Sequence, residues 1–225
     1  MNNSISVTPI GWVESVFTEK FGTPRQSGVV PSATGVLHFY PPYDQPEAFE
    51  ELSGFSHLWL ITQFHLIPED AEFRPRVRPP KLGGEKKVGV FASRAPYRPN
   101  RLCLTKVRLE GIINESGSVS LKISGLDLVN ETPILDVKPY LPYADSSPEA
   151  TTSFGLPPQD ITVEPENDKV FADLTPEHIV LITETLQAQP QPAYAREDQS
   201  FGLSLAKLNI RWSMSGKKIV VNEVS

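Results

Sequence analysis

Among its 225 residues this chain has one cysteine, Cys103, so it can close no internal disulfide and offers no cysteine set for a zinc site. It also lacks a long apolar run. The richest stretch, Leu58 to Ile67, is broken by Thr62, Gln63 and His65 and falls well short of the ~20 residues of a membrane helix. The opening segment MNNSISVTPIGWVES has neither a basic nor an apolar block, so the expectation is an untargeted, cytoplasmic protein with no membrane partner. Phosphate-loop, dinucleotide, nucleophile-elbow and zinc-hydrolase signatures are missing. The four histidines, His38, His57, His65 and His178, share no ligand spacing, and no metal is expected.

A net charge of −6 and a pI near 5.3 speak, as totals, against a nucleic-acid partner. Position reverses that reading. Arg74, Arg76, Arg78, Lys81, Lys86, Lys87, Arg94, Arg98, Arg101, Lys106 and Arg108 fall in one window of 35 residues that holds a single acid, Glu85. The window is +10 and the remainder −16, an acidic body carrying one concentrated basic segment. Such concentration suits a polyanion, because several phosphates neutralised together release counterions whatever the distant net charge. A solvated charged loop is the plainer alternative.

The 22 prolines, about twice the usual ~5%, are spread along the chain and punctuate short elements. Ile5 to Phe17, Gly35 to Phe39, Ser56 to Phe64, Val88 to Ala92, Leu102 to Ile113 and Ser118 to Leu128 read as strands, with a short helix at Pro46 to Leu52 and a turn at Asn114 to Gly117. Closely spaced strands without a βαβ rhythm predict a mainly β protein whose N-terminal domain, residues 1–145, is a β-barrel. A Ser, Pro and Thr-rich linker follows at 146–158, then a small α+β domain at 159–225. There Ile161 to Glu164 reads as a strand, Thr175-Pro176-Glu177 opens a helix running to about Ala188 before Pro190 and Pro192, and Leu203 to Trp212 with Ile219 to Val224 reads as a closing hairpin.

GVFASRAPYRPNRLCLT, Gly89 to Thr105, is the informative segment. Pro96 and Pro99 fix a turn from which Arg94, Arg98, Arg101 and Asn100 project donors, while Tyr97 offers a stacking face. That combination fits RNA whose bases are splayed from a duplex. A lone histidine on an apolar strand is first a satisfied core residue, and His57 and His65, eight apart, share a face if their strand is unbroken. Cys103 between Leu102 and Leu104 reads as buried and inert.

The chain resembles the TsaA-like, or TrmO-type, family along nearly its whole length. The likeness rests on IGWVES, EKFGTPRQSGVV (Glu19 to Val30), GFSHLWLITQFH (Gly54 to His65), RPRVRPPKLGG (Arg74 to Gly84), GVFASRAPYRPN, GLDLVNETPILDVKPYLPYADS (Gly125 to Ser146), QPQPAY (Gln189 to Tyr194) and FGLSLAKLNIRW (Phe201 to Trp212). The resemblance implies a non-Rossmann β-barrel methyltransferase that uses S-adenosylmethionine. Its expected substrate is the exocyclic amine of a threonylcarbamoyl-modified adenosine beside the anticodon of threonine tRNA. It also implies a homodimer with the cofactor near the subunit interface. By the same resemblance the cofactor contacts are Gln26, Ser27 and Gly28, Phe64 and His65, Arg94, Leu104, and Ser124, Gly125, Leu126 and Asp127. These types make chemical sense: amides and a glycine for close approach, an aromatic face for adenine, and a carboxylate for ribose hydroxyls or an ammonium.

Two positions depart from the family pattern. RPN is followed by Arg101-Leu102-Cys103, where the family usually carries Pro, then Ile or Leu, then Gly, and the turn before Thr132 is Asn130-Glu131 in place of aspartate-glycine. Methyl transfer from a sulfonium is an in-line displacement and needs no protein nucleophile, only alignment. Asp136 or Asn100 is the candidate for orienting the amine N–H bonds, and Arg98, Arg101, Lys138 and Tyr140 are the candidate RNA contacts. Non-catalytic RNA binding by the barrel and metal-independent nucleotide hydrolysis are the competing functions. The C-terminal domain either grips the tRNA body or packs on the barrel.

Overall fold

The computed structural model describes residues 5–68, 70–79, 86–152, 160–188 and 199–225. The fold is mainly β, as expected. Its first part is a closed antiparallel barrel of β1 (Gly11–Ser15), β2 (Thr34–Phe39), β7 (Ser118–Ser124), β6 (Leu102–Glu115), β3 (His57–Gln63) and β8 (Thr132–Pro139), in that spatial order. Beside it stands a two-stranded ribbon of β4 (Arg76–Val77) and β5 (Val88–Gly89). Closure pairs β1 with β8 and leaves no open sheet edge.

Alternation builds the wall. On β3, Leu58, Leu60 and Thr62 are fully buried, while His57, Trp59, Ile61 and Gln63 alternate outward. Val13, Leu37, Val107, Leu121, Ile123 and Ile134 join Leu58 and Leu60 in the core, each large side chain contributing about 1.5–3 kcal/mol relative to exposure. The β6–β7 connection is a two-residue turn in which Ser116 and Gly117 both have positive φ, and the Gly117 N–H donates to Asn114 Oδ1 at 3.2 Å.

Several elements are shorter than their sequence patterns. Strand β1 starts only at Gly11, β7 ends at Ser124 because Gly125 turns left-handed, and residues 90–92 form a 3-10 turn where a strand to Ala92 was expected. Pro46–Phe49 and Leu52–Gly54 are 3-10 turns. Because β3 ends at Gln63, His65 lies on the following turn and shares no strand face with His57.

After a short helix α1 (Pro142–Asp145), a second sheet is ordered β10 (Ser200–Leu205), β11 (Leu208–Ser215), β12 (Lys218–Val224) and β9 (Thr162–Pro165), with β9 and β12 parallel. The expected single hairpin is three strands: alternation slips phase between Leu205 and Leu208, where Ala206 and Lys207 adopt positive φ and turn the chain. Helix α2 (Pro176–Ala188) begins as expected, with Thr175 Oγ1 accepting the His178 N–H at 3.3 Å. The Pro190 and Pro192 stop, the QPQPAY motif, Lys81, Glu85 and residues 153–158 of the expected linker lie outside the described residues.

The second unit packs on the barrel. Phe17, 1% exposed, bridges to Leu205, the Ala206 N–H donates to Val16 O at 2.9 Å, and the Ser204 N–H donates to Glu19 Oε1 at 2.9 Å. The two units share one continuous apolar cluster.

Candidate active site at one end of the barrel

Antiparallel register places the ends of β1, β3 and β7 and the starts of β2, β6 and β8 together, as in the pairs Ser15 with Gly35, Gln63 with Leu102 and Thr34 with Ser124. Three connections therefore meet at this mouth: residues 16–33, 64–101 and 125–131. Of the expected cofactor residues, only Leu104 and Ser124 lie outside these loops, on the adjoining strand ends. The basic segment runs largely through the second loop.

Long-range hydrogen bonds tie the loops. The Gly28 N–H donates to Gly125 O at 2.8 Å, and the Gly125 N–H donates to Ala33 O at 2.8 Å. Both glycines have positive φ, the left-handed region that suits glycine, and a Cβ on Gly125 would meet the Gly28 backbone at an ordinary contact distance of 3.6 Å. Arg94 Nη1 donates to Gln26 Oε1 across 68 residues of sequence. The Phe64 N–H donates to Arg101 O at 2.9 Å, linking the two ends of the second loop.

Asp127 sits at the centre of this arrangement. Its Oδ1 accepts from the buried hydroxyl of Thr105. Burial raises its pKa above the usual carboxylate range; Thr105, the Ser27 backbone N–H and the nearby Arg94 charge pull the other way. The same environment pushes the Cys103 thiol up to about 11, by burial first and the Asp127 charge second, so the thiol is inert at neutral pH as expected. Burial also holds His65 below the usual imidazole value, favouring the neutral ring. Ser124 Oγ donates to Glu110 Oε1, and Leu126 is fully buried in the core.

The arginines of the RPN loop are occupied from within. Arg98 Nη1 donates to Ser93 O at 2.7 Å and Val90 O at 3.2 Å, Arg101 Nη1 donates to Ile67 O at 3.2 Å, and the Arg74 guanidinium stacks 4.6 Å from the Tyr97 ring centre. Carbonyl partners thus brace a loop that has almost no acids. Phe91, Arg98, Pro99, Asn100 and Leu102 line an open cleft of about 310 Å³ on its side.

Asp136, Lys138 and Tyr140 lie elsewhere, on the outer face of β8 and its end. Ile61 pairs with both Leu104 and Asp136, Trp59 with both Lys106 and Lys138, and His57 with Arg108, so this face continues across β6, β3 and β8. Lys106 Nζ stands 4.7 Å from the Tyr140 ring centre, and Trp59 and Tyr140 are 5.7 Å apart. Asp136 Oδ1 accepts the Val137 N–H at 2.9 Å. Of the two amine-orienting candidates, Asn100 lines the cleft, and Asp136 stands on the outer face of β8, joined through Ile61 to Leu104.

Sequence reasoning missed Thr105, Trp59 and Lys106. A threonine at an inward position between Cys103 and Val107 was the available signal for the first. Among the described residues no cluster of three or more His, Cys, Asp or Glu side chains could hold a metal ion, and no helix is long and apolar enough to cross a membrane.

Comparison with known proteins places these features in a family. Residues 12–146 match the family model for the tRNA-methyltransferase O N-terminal domain, and residues 164–225 match that for the TrmO C-terminal domain. An Escherichia coli protein named tRNA (adenine(37)-N6)-methyltransferase is 39% identical over 223 residues, 95% of this chain and 94% of its own length. A Pseudomonas aeruginosa protein, provisionally named an S-adenosylmethionine-dependent methyltransferase, is 43% identical over 216 residues, 92% of this chain and 91% of its own. A crystal structure of TrmO from P. aeruginosa superimposes with a TM-score of 0.81 at 35% identity, covering 100% of this chain and 98% of that one.

Proposed function

Because this chain belongs to the tRNA-methyltransferase O family, we propose that it methylates N6 of the adenosine beside the anticodon of tRNA, using S-adenosylmethionine. The proposed substrate is the threonylcarbamoyl-modified adenosine of threonine tRNA, and the proposed working form is a cytoplasmic homodimer. The carrying observation is the meeting of three distant loops around Asp127 at one barrel mouth. The donor set fits the cofactor: a desolvated carboxylate for hydroxyls or an ammonium, a glycine-glycine contact allowing backbone approach, and the half-buried ring of Phe64 for adenine. Gln26, Ser27, Gly28, Phe64, His65, Arg94, Leu104 and Ser124 to Asp127 are proposed to hold it.

Held by these residues, S-adenosylmethionine would supply an electrophilic methyl group for transfer to the amine. The protein contributes position. Asn100 is proposed to orient the amine N–H bonds from the cleft beside Phe91; Asp136, on the outer wall, is the second candidate for that task. Arg98 and Arg101 at the mouth, with Lys138 and Tyr140 on the wall, are proposed RNA contacts; an arginine has five N–H donors, so the brace made by Arg98 Nη1 leaves others able to face phosphate. Phe91 and Leu104, 74% and 59% exposed near the mouth, are the apolar surface a second subunit would cover.

Calorimetric titration with S-adenosylmethionine, then label transfer to threonine tRNA with and without the threonylcarbamoyl group, tests the reading. Cofactor binding with transfer only to the modified tRNA is expected. RNA binding without cofactor binding would instead establish a non-catalytic RNA module.

A further inference from the structure

We propose that Glu184, on helix α2 of the C-terminal unit, is a positioning residue for the cofactor loop, so that this unit acts on cofactor affinity and not as a grip on the tRNA body. The inference rests on the reading of residues 26–28 as part of the cofactor site.

Glu184 and Ser32 are 152 residues apart in sequence, yet one carboxylate oxygen, Oε2, accepts both the Ser32 backbone N–H at 2.9 Å and its hydroxyl at 2.6 Å. Among the described residues no cation pairs with Glu184. The carboxylate is therefore committed to Ser32. It is also fixed in place, because Leu181, Ile182, Thr185 and Leu186 of the same helix are buried.

Ser32 occupies a decisive place in the loop. The span from Gly28 to Ala33 hangs on Gly125 at both ends, through the Gly28 N–H to Gly125 O and the Gly125 N–H to Ala33 O, and an Ala33 N–H to Val30 O bond closes its last turn at 3.1 Å. Within this span Ser32 is the point held from outside the barrel. Shifting it moves Ala33, Gly125 and Gly28 together, and with them the Ser27 N–H that faces Asp127. What the helix supplies is an acceptor, not a charge.

Full-length wild type, Glu184→Gln, Glu184→Ala and Ser32→Ala are titrated with S-adenosylmethionine, their tRNA affinity is measured, and amide hydrogen exchange is followed over residues 24–33. Removing both bonds by Glu184→Ala is expected to weaken cofactor binding about 10-fold and speed exchange of the loop, with tRNA affinity within about twofold. Glu184→Gln keeps an acceptor oxygen and recovers most of the affinity. Ser32→Ala removes only the hydroxyl, leaves α2 intact if Glu184→Ala folds poorly, and gives a loss of about 3-fold. Wild-type cofactor affinity in Glu184→Ala, or lost tRNA affinity with cofactor affinity retained, overturns the proposal while the cofactor reading stands. Equal losses in Glu184→Gln and Glu184→Ala overturn it as well. Absence of cofactor binding by the wild type overturns the cofactor reading and this inference together.

Discussion

The mouth of the barrel and the outer face of its wall are built by different means. At the mouth, polar bonds join residues 22 to 152 positions apart, and a carboxylate stands partly withdrawn from water with a buried hydroxyl donating to it. On the wall, strand register alone sets Trp59, Lys106 and Lys138 side by side, with Tyr140 at the end. The first arrangement suits a small polar ligand, because a desolvated, preorganised charge discriminates strongly; the second suits an extended anion met by several weak contacts. Loops supply the first because no regular strand brings three distant segments to one point.

If that contrast is functional, changes at each place leave the other untouched. Asp127→Asn is expected to weaken S-adenosylmethionine roughly 10- to 100-fold, the ~1.5–3 kcal/mol of hydrogen bonds to a charged group, without changing tRNA affinity. The same change should raise the thermal midpoint at neutral pH. Burial raises the Asp127 pKa, so the folded state holds the proton more tightly than the unfolded one, and ionisation lowers stability as pH rises from the unfolded value through the folded one. A variant that loses affinity and melts lower would break the argument. In the wild type, cofactor affinity should fall on acidification, starting above the ordinary carboxylate range.

On the wall, Trp59→Ala should weaken tRNA by about 1–3 kcal/mol if a base stacks there, and Lys106→Ala should lower the salt slope of tRNA binding by about 1, both with unchanged cofactor titrations. Thr105→Val should cost about 1 kcal/mol of cofactor affinity, roughly fivefold, and move the acid limb of binding to higher pH, since the lost donor had been lowering the Asp127 pKa. Thr105→Ser should restore both. The smallest effect lies at the third loop: Glu131 has φ 63, a strain of about 1–2 kcal/mol that glycine relieves while adding unfolded-state entropy, so Glu131→Gly should stabilise by about 0.5 kcal/mol in denaturant unfolding.

Glu131 and Arg101 also show what the chain's departures from its family pattern mean. Glu131, with φ 63, stands left-handed where the pattern carries glycine, and that turn persists despite the side chain; Arg101, also left-handed at φ 52, stands two residues before Cys103, the position of the pattern's other glycine. The RPN loop explains a different shortfall: its basic residues were legible as an anion surface, but Arg98 and Arg101 spend donors on backbone carbonyls, which no residue spacing reveals. The C-terminal strands were legible as apolar, yet the turn at Ala206-Lys207 was not, because neither residue is a usual turn former.

The amino-acid sequence by itself determined five of the six barrel strands, all but β8, together with the helix from Pro176, the concentration of basic charge and the motifs that tie the chain to its family, since each depends on neighbours within a few residues. Only the tertiary structure decided that Asp127 is partly withdrawn from water, that Thr105 meets it, that Asn100 lines the cleft while Asp136 stands on the outer face of β8, and that Glu184 reaches Ser32. Those outcomes follow from barrel closure, which brings three connections to one end, and from docking of the second unit against the first. Burial and alignment belong to that enclosure, and no local pattern encodes them.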